Sequence, residues 1–116
     1  KKYFSEKKLS QKLRLGKIEI NLKKVIINKT RKTHIIEFEV LNNSIDKVRT
    51  KGLSFYLTRS GKRLDVQEFA LSESKIYPLK KVTGRLLVKL NQKKGFTFNF
   101  EHQEKKKSVV ISRNTV

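Results

Sequence analysis

Apolar and polar residues alternate with a period of two along most of the chain. The first clear run covers 18–22, where isoleucine or leucine occupies every second position, as expected for a strand with one buried face. The alternation resumes at Val25 and Ile27 in the opposite phase, after Lys23 and Lys24. A one-residue bulge at the two lysines would return all of these apolar side chains to the same face.

Further alternating runs predict the other strands. Polar turns separate them, of which Asn42-Asn43-Ser44 and Ser60-Gly61-Lys62 have the residues that favour tight connections. The runs cover 35–41, 53–57, a weaker stretch around 64–66, 82–90, 96–100 and 109–111. No segment of ten or more residues between them has a helical period, so antiparallel sheets are expected. Seven or eight short strands in about 100 residues indicate a sandwich or a barrel.

The first sixteen residues show no clear period. Leu9 and Leu13 have the i,i+4 spacing of one helical face, but they lie among basic and polar residues. We therefore expect 1–16 to be a basic linker or a short helix, 17–112 to be the β-domain and 113–116 to be a tail. The chain starts at Lys1 rather than at a methionine, so we also expect that a start codon, a signal peptide or an anchoring helix preceded it.

Composition limits the chemistry that the chain can perform. Its 116 residues suit one domain with a single core. The absence of cysteine removes disulfides, thiolate metal ligands and a thiol nucleophile. No run approaches the roughly 20 apolar residues of a membrane span.

Net charge is the most unusual property of the sequence, at +19 near neutral pH. Residues 1–32 carry twelve lysines or arginines against two glutamates, and residues 75–116 carry eleven against two. Residues 33–74 carry six charges of each sign and are neutral as a segment. A charge excess of this size is self-repulsive in a compact fold, so an anionic partner is expected.

Candidate catalytic residues are few. His34 and His102, the two imidazoles of the chain, have no serine, carboxylate or second histidine at an informative spacing. Glu37 and Glu39 project from one strand face about 7 Å apart by strand rise, a separation that would suit glycosidic bond cleavage. On an exposed face nothing makes one an acid and the other a base, so pairing with lysines across the sheet is the expected role. The sequence has no metal-loop or phosphate-loop motif, and we expect neither an enzyme nor a cofactor.

The segment Lys94-Gly95-Phe96-Thr97-Phe98 resembles the start of the ribonucleoprotein motif of RNA-recognition and cold-shock domains, where exposed aromatic residues stack on bases. In that motif the alternate positions are small or aliphatic and face the core. Here they hold Thr97 and Asn99, which are costly to bury. We therefore expect the phenylalanines at 96, 98 and 100 to face inward, with Thr97, Asn99 and Glu101 in water.

Clusters of lysine supply the candidate binding residues. Lys81, Arg85 and Lys89 share the outward face of the run over 82–90 and form a basic stripe. Lysine far outnumbers arginine, which favours diffuse attraction to a polyanion over bidentate recognition. The candidate polyanion-binding residues are Lys23, Lys24, Lys80, Lys81, Arg85, Lys89, Lys93, Lys94, Lys105, Lys106 and Lys107.

Four motifs occur along the chain in the same order as in a known family of domains. They are Phe38-Glu39-Val40-Leu41-Asn42-Asn43-Ser44, Phe55-Tyr56-Leu57 with Ser60-Gly61-Lys62, Tyr77-Pro78-Leu79 leading to Thr83-Gly84-Arg85-Leu86-Leu87-Val88, and the aromatic run 96–100. From about 17 to 111 the chain thereby resembles the telokin-like immunoglobulin-fold domains of surface lipoproteins and secreted proteins of Gram-positive bacteria, a family largely without assigned function. That family usually has Pro-Gly where this chain has Lys80-Lys81. The resemblance implies an antiparallel immunoglobulin-like β-sandwich outside the membrane, behind a polar linker, and it brings no catalytic residues.

The charge pattern and this resemblance together predict a non-enzymatic, extracytoplasmic interaction module of a bacterial cell envelope protein. Its basic surfaces would bind an anionic envelope polymer, lipid headgroups or an acidic protein. The first and last strands of such sandwiches commonly lie side by side, so the two basic ends of the sequence would form one surface. Two alternatives remain open: a nucleic-acid binder that contacts phosphates, and an assembly subunit that pairs through a strand edge. No small-molecule substrate is expected.

Overall fold

The computed structural model describes residues 4–89 and 95–111. Within these ranges the chain forms eleven β-strands and a three-residue 3-10 turn, Thr50–Gly52. The strands are β1 Phe4–Leu15, β2 Ile18–Asn28, β3 Thr33–Asn42, β4 Val48–Arg49, β5 Leu53–Arg59, β6 Lys62–Arg63, β7 Val66–Leu71, β8 Lys75–Ile76, β9 Lys81–Lys89, β10 Phe96–His102 and β11 Lys105–Ile111. No helix in the described residues is long and apolar enough to cross a membrane.

Two antiparallel sheets enclose the core. One has five strands in the order β1-β2-β3-β9-β7, and the other has four in the order β11-β10-β5-β6. The short strands β4 and β8 pair separately. The predicted antiparallel β-sandwich is confirmed. The strand count exceeds the expected seven or eight because β4, β6 and β8 are two residues long each.

The predicted bulge is confirmed in β2. This strand has one residue more than β3 between the pairs Leu22–Phe38 and Lys24–Glu37. Lys23 is the extra residue, and the apolar side chains on both sides of it are buried in one core. The bulge therefore accounts for the change of phase in the sequence.

The N-terminal segment is not the expected linker or short helix. Residues Phe4–Leu15 form β1, which pairs along its length with β2 at the edge of the five-stranded sheet. Leu9, Leu13 and Leu15 are buried, each only 6% or 7% exposed. The spacing of Leu9 and Leu13 satisfies a period of two as well as a helical period, and Gln11 between them hides the alternation. The β-domain therefore includes β1.

Phenylalanines fill the centre of the core. The ring of Phe38 on β3 contacts Phe55 and Phe98 of the other sheet, with centroids 4.8 and 5.3 Å away. The predicted inward orientation of Phe96, Phe98 and Phe100 is confirmed, because all three are buried. These rings therefore do not form a base-stacking platform.

The expectation that Asn99 faces water is wrong, because its side chain is 1% exposed. Its Nδ2 donates to Thr58 Oγ1 at 3.1 Å, and its Oδ1 accepts from Ser108 Oγ at 2.7 Å. Beside them the guanidinium of Arg63 covers the Tyr56 ring at 3.9 Å. Alternation predicts the face on which a side chain lies but not whether its neighbours on that face cover it.

Gly84 of β9 allows the Phe38 ring to lie across it. A Cβ at this position would overlap the Phe38 ring and come within 2.8 Å of Leu71 Cδ2. We expect Gly84→Ala to lower the free energy of unfolding by about 2 kcal/mol, because the packed core must shift to admit a methyl group. Urea denaturation measures the loss. Gly52→Ala is the matched control, since nothing lies within 4 Å of a Cβ there, and equal losses in the two variants would contradict the role of the Phe38 contact.

His34 at the start of β3 is buried, and its two ring nitrogens have no hydrogen-bond partner among the described residues. Its ring meets the Phe96 ring edge-on, with centroids 6.4 Å apart. Burial, helped by the charge of Arg59, lowers the pKa of His34 to about 4. The folded protein therefore holds a neutral imidazole.

Acid should destabilise the fold through His34. The pKa of histidine in the unfolded chain is about 6.5, so between that pH and about 4 the unfolded state binds a proton that the folded state does not. The free energy of unfolding should fall by about 2 to 3 kcal/mol across this window. Urea denaturation at both ends of the window should show a smaller fall for His34→Leu than for the unchanged protein, with His102→Leu as the control. Identical falls in all three proteins would rule out this source of acid sensitivity.

Candidate functional site

The outer face of the five-stranded sheet, here called the paired face, carries interleaved acidic and basic side chains. Glu37 Oε2 lies 3.6 Å from Lys24 Nζ, and Glu37 Oε1 lies 3.4 Å from Arg85 Nε. Lys24 Nζ is also 2.7 Å from Glu6 Oε1. The hydrogen bond to Glu6 and the charge of Glu37 raise the pKa of Lys24. Lys24 and Arg85 are thus held by carboxylates.

Glu39 binds a second pair of cations on the same face. Its carboxylate lies 3.3 Å from Lys23 Nζ and 3.6 Å from Lys81 Nζ. These contacts confirm the expected pairing of Glu37 and Glu39 with lysines across the sheet. Ion pairs this exposed stabilise the fold little, but they offset the charge of four candidate binding residues. The predicted basic stripe is therefore compensated where Lys81 and Arg85 lie.

The other candidate residues are dispersed. Lys89 is exposed at the end of β9, and residues 93–94 lie outside the described ranges. Lys106 Nζ lies 5.8 Å from the centroid of the Tyr56 ring on the outer face of the four-stranded sheet. Lys107 is exposed on β11, which contacts β1 where the edges of the two sheets meet. The strand beside β11 is therefore β1, a segment expected to be a linker, rather than the strand from residue 18 that was expected to be the first.

A cleft of about 590 Å³ lies at the end of the sandwich where β1 turns into β2 and β10 turns into β11. Its cationic lining residues are Lys17, Lys47, Arg49 and Lys105, and its carboxylate is that of Asp46. All four cations are exposed, and none forms an ion pair with a described residue. We call this site the basic cleft.

The buried side chain of Asn42, at the end of β3, shapes one wall of the basic cleft. Its Nδ2 donates to the carbonyl oxygens of Asp46 at 2.7 Å and Ile76 at 2.9 Å. Its Oδ1 accepts from the Ser44 N–H at 2.9 Å. One amide therefore closes the loop 43–47 and ties it to β8.

The backbone of Asn42 holds a second loop, 77–80. Its N–H donates to the Lys80 carbonyl at 3.0 Å, and its carbonyl accepts from the Leu79 N–H at 2.7 Å. Leu79 has a φ of +61°, in the left-handed region that costs a residue other than glycine about 1 kcal/mol. Two neighbouring loops are thus fixed to one residue.

The opposite end of the sandwich is also basic. The turn between β2 and β3 carries Lys29, Arg31 and Lys32, which are exposed and form no ion pair with a described residue. The turn 28–32 contains no apolar side chain. It therefore offers a charge-matched comparison for the basic cleft.

The two histidines do not form a catalytic pair. His34 is buried near the start of β3, whereas His102 lines the basic cleft at the other end of the sandwich. Within residues 4–89 and 95–111, no three His, Asp or Glu side chains are grouped closely enough to hold a metal ion.

Neither a protein-family model nor a curated protein matches the chain, but solved structures do. A conserved hypothetical protein from Bacillus anthracis is 11% identical, covers 94% of this chain and 99% of its own, and has a TM-score of 0.67. An uncharacterised β-sandwich protein from Clostridium difficile is 12% identical, covers 90% and 91%, and has a TM-score of 0.58. At this identity the likeness shows the fold alone. The chain therefore shares its β-sandwich with uncharacterised proteins of Gram-positive bacteria.

Of the four cations that line the basic cleft, the lysine clusters in the sequence predict Lys105 but not Lys17, Lys47 or Arg49. Lys47 and Arg49 lie in the segment 33–74, which is neutral by count because it also holds the glutamates of β3. The available signal is the turn Asn42-Asn43-Ser44, which places Lys47 on a connecting loop. Arg49 lies on the two-residue strand β4 and has no comparable signal.

Asn42→Asp should disrupt the loop 43–47 and its connection to β8, which the Asn42 side chain holds. The new carboxylate oxygen would face two carbonyl oxygens in place of the donating amide, leaving them without a buried partner. We expect the free energy of unfolding at neutral pH to fall by about 3 kcal/mol, as measured by urea denaturation. Asn43→Asp makes the same charge change at a half-buried neighbour. A loss for Asn42→Asp no greater than that of this control would show that the amide does not hold the loop 43–47.

Proposed function

We propose that this protein is a non-enzymatic binding module for an anionic polymer, and that the basic cleft is its binding surface. One observation carries the proposal. The candidate cations of the paired face have carboxylate partners, whereas Lys17, Lys47, Arg49 and Lys105 have none among the described residues. Unpaired cations around a concave surface concentrate positive potential. They also release counterions when a polyanion binds.

The residue types in the basic cleft favour a polymer of phosphates. Three of its four cations are lysines, which are point charges on flexible stems rather than rigid bidentate groups. Such side chains can follow a repeating anion without reading its sequence. We therefore favour an envelope polymer of the teichoic acid class as the ligand. Anionic lipid headgroups and acidic proteins also carry negative charge.

An extracytoplasmic location at the surface of a Gram-positive bacterium is part of the same proposal. Its support is the resemblance of the sequence motifs to telokin-like immunoglobulin-fold domains. The two solved structures of similar fold also come from Gram-positive bacteria.

A pair of triple variants tests whether the basic cleft binds the polymer. The cleft variant is Lys47→Gln with Arg49→Gln and Lys105→Gln, and the matched variant is Lys29→Gln with Arg31→Gln and Lys32→Gln. Each loses three positive charges. Titrations with poly(glycerol phosphate) at several salt concentrations measure the effect. The cleft variant should lose about tenfold in affinity, and the slope of its log binding constant against log salt concentration should become less steep by about 2 to 3. Equal losses in both variants would mean that net charge alone drives binding and would contradict the proposed site.

Two further measurements separate the alternatives. Tighter binding to single-stranded DNA than to poly(glycerol phosphate) of equal charge would favour the nucleic-acid binder. A scattering mass that rises with protein concentration would favour an assembly subunit that pairs through a strand edge. The proposed module should prefer the polymer and keep a constant mass.

A further inference from the structure

Two exposed apolar side chains lie beside the basic cleft. Ile45 is 87% exposed and Leu79 is 75% exposed, more than the other large apolar residues of the described ranges. Ile45 lies between Ser44 and Asp46, which both line the cleft. The Leu79 N–H donates to the carbonyl of Asn42, three residues before Ile45. Both side chains therefore extend from adjoining loops at one end of the sandwich.

Leu79 is unfavourable for the isolated protein in two respects. It exposes an isobutyl group to water, and it holds a backbone conformation that disfavours a branched side chain. Asparagine would tolerate the same φ and would remove the apolar surface. Strain of this kind concentrates at functional sites. The exposed side chain of Leu79 is therefore a candidate contact for a ligand that has an apolar part.

Cations flank both apolar side chains. Lys47 follows Ile45 by two residues, and Lys80 follows Leu79 directly. Loop tips that combine apolar and cationic side chains fit the surface of an anionic bilayer, where apolar groups enter the acyl boundary and lysines contact the headgroups. A soluble polymer or a nucleic acid would engage the cations and leave Ile45 and Leu79 in water.

We propose that this end of the sandwich docks on an anionic lipid surface, with Ile45 and Leu79 inserted and the basic cleft over the headgroup phosphates. The inference rests on the proposed function, because it uses the same basic cleft, adds headgroup phosphates as a second anionic ligand and adds an apolar contact. The hydrogen bonds of Asn42 fix both loops before contact, so little ordering is needed on docking.

The test compares vesicles with a soluble polymer. Vesicles of phosphatidylcholine and phosphatidylglycerol in equal amounts should bind the protein, and vesicles of phosphatidylcholine alone should bind it far less. The double variant Ile45→Ser with Leu79→Asn should bind the mixed vesicles about tenfold more weakly, because the transferred apolar surface is lost. Its affinity for poly(glycerol phosphate) should be unchanged. Val110→Ser is the control, since Val110 is 65% exposed but lies on β11 away from both loops.

A fluorescence measurement reports insertion directly, because the chain contains no tryptophan. Ile45→Trp should shift its emission to shorter wavelength when mixed vesicles are added. Val110→Trp should keep the emission of a residue in water.

The outcomes distinguish the two proposals. If the protein binds poly(glycerol phosphate) but not mixed vesicles, or if the double variant binds vesicles like the unchanged protein, lipid docking is overturned and the proposed function stands. If the unchanged protein binds neither the polymer nor the vesicles, both proposals fall. Weaker vesicle binding with intact polymer binding in the double variant, together with the Ile45→Trp shift, supports lipid docking.

Discussion

Asn42 is buried at the end of β3 and supplies hydrogen bonds to two loops, one through its side-chain amide and the other through its backbone. Its Nδ2 donates to the loop 43–47 and to β8, its Oδ1 accepts from the loop 43–47, and its backbone pairs with the loop 77–80. An apolar residue would leave these polar groups unpaired in a buried environment, and a carboxylate would face two carbonyl oxygens. The geometry of the basic cleft and of both apolar tips therefore depends on one polar residue at the margin of an apolar core.

Strand β3 also determines which basic residues of the molecule have carboxylate partners. Glu37 and Glu39 of β3 lie between basic neighbours on β2 and β9 and offset part of their charge. The segment 33–74, which contains these glutamates, has equal numbers of acidic and basic residues. Its two glutamates on β3 pair with cations of other strands. Its own Lys47, on the loop 43–47, and Arg49, on the short strand β4, have no carboxylate partners among the described residues. The net charge of a sequence segment therefore does not predict the charge of the surface on which its residues lie, because antiparallel pairing brings distant segments together.

Local alternation was sufficient to predict β2, β3, β5, β9 and β10, the bulge at Lys23 and the burial of the phenylalanines of β10. It predicted only parts of β7 and β11, and none of the two-residue strands β4, β6 and β8. It failed for β1, where Gln11 interrupts the inner row and the leucine spacing fits two periods. It also failed for Asn99, whose burial depends on Thr58 and Ser108 from neighbouring strands. The basic cleft combines residues from three separate loops, and no periodicity within a segment carries information about which loops meet at one end.

Chemical-shift mapping of the labelled protein with poly(glycerol phosphate) tests most directly whether binding charge resides in the cleft rather than on the paired face. Backbone amide shifts should concentrate at Lys17, at the loop 44–49 and at Lys105, the walls of the basic cleft. The amides of Lys23, Lys24, Lys81 and Arg85 should change little, because carboxylates already hold their side chains. Shifts centred on the paired face, or spread evenly over the basic residues, would contradict this location of the site.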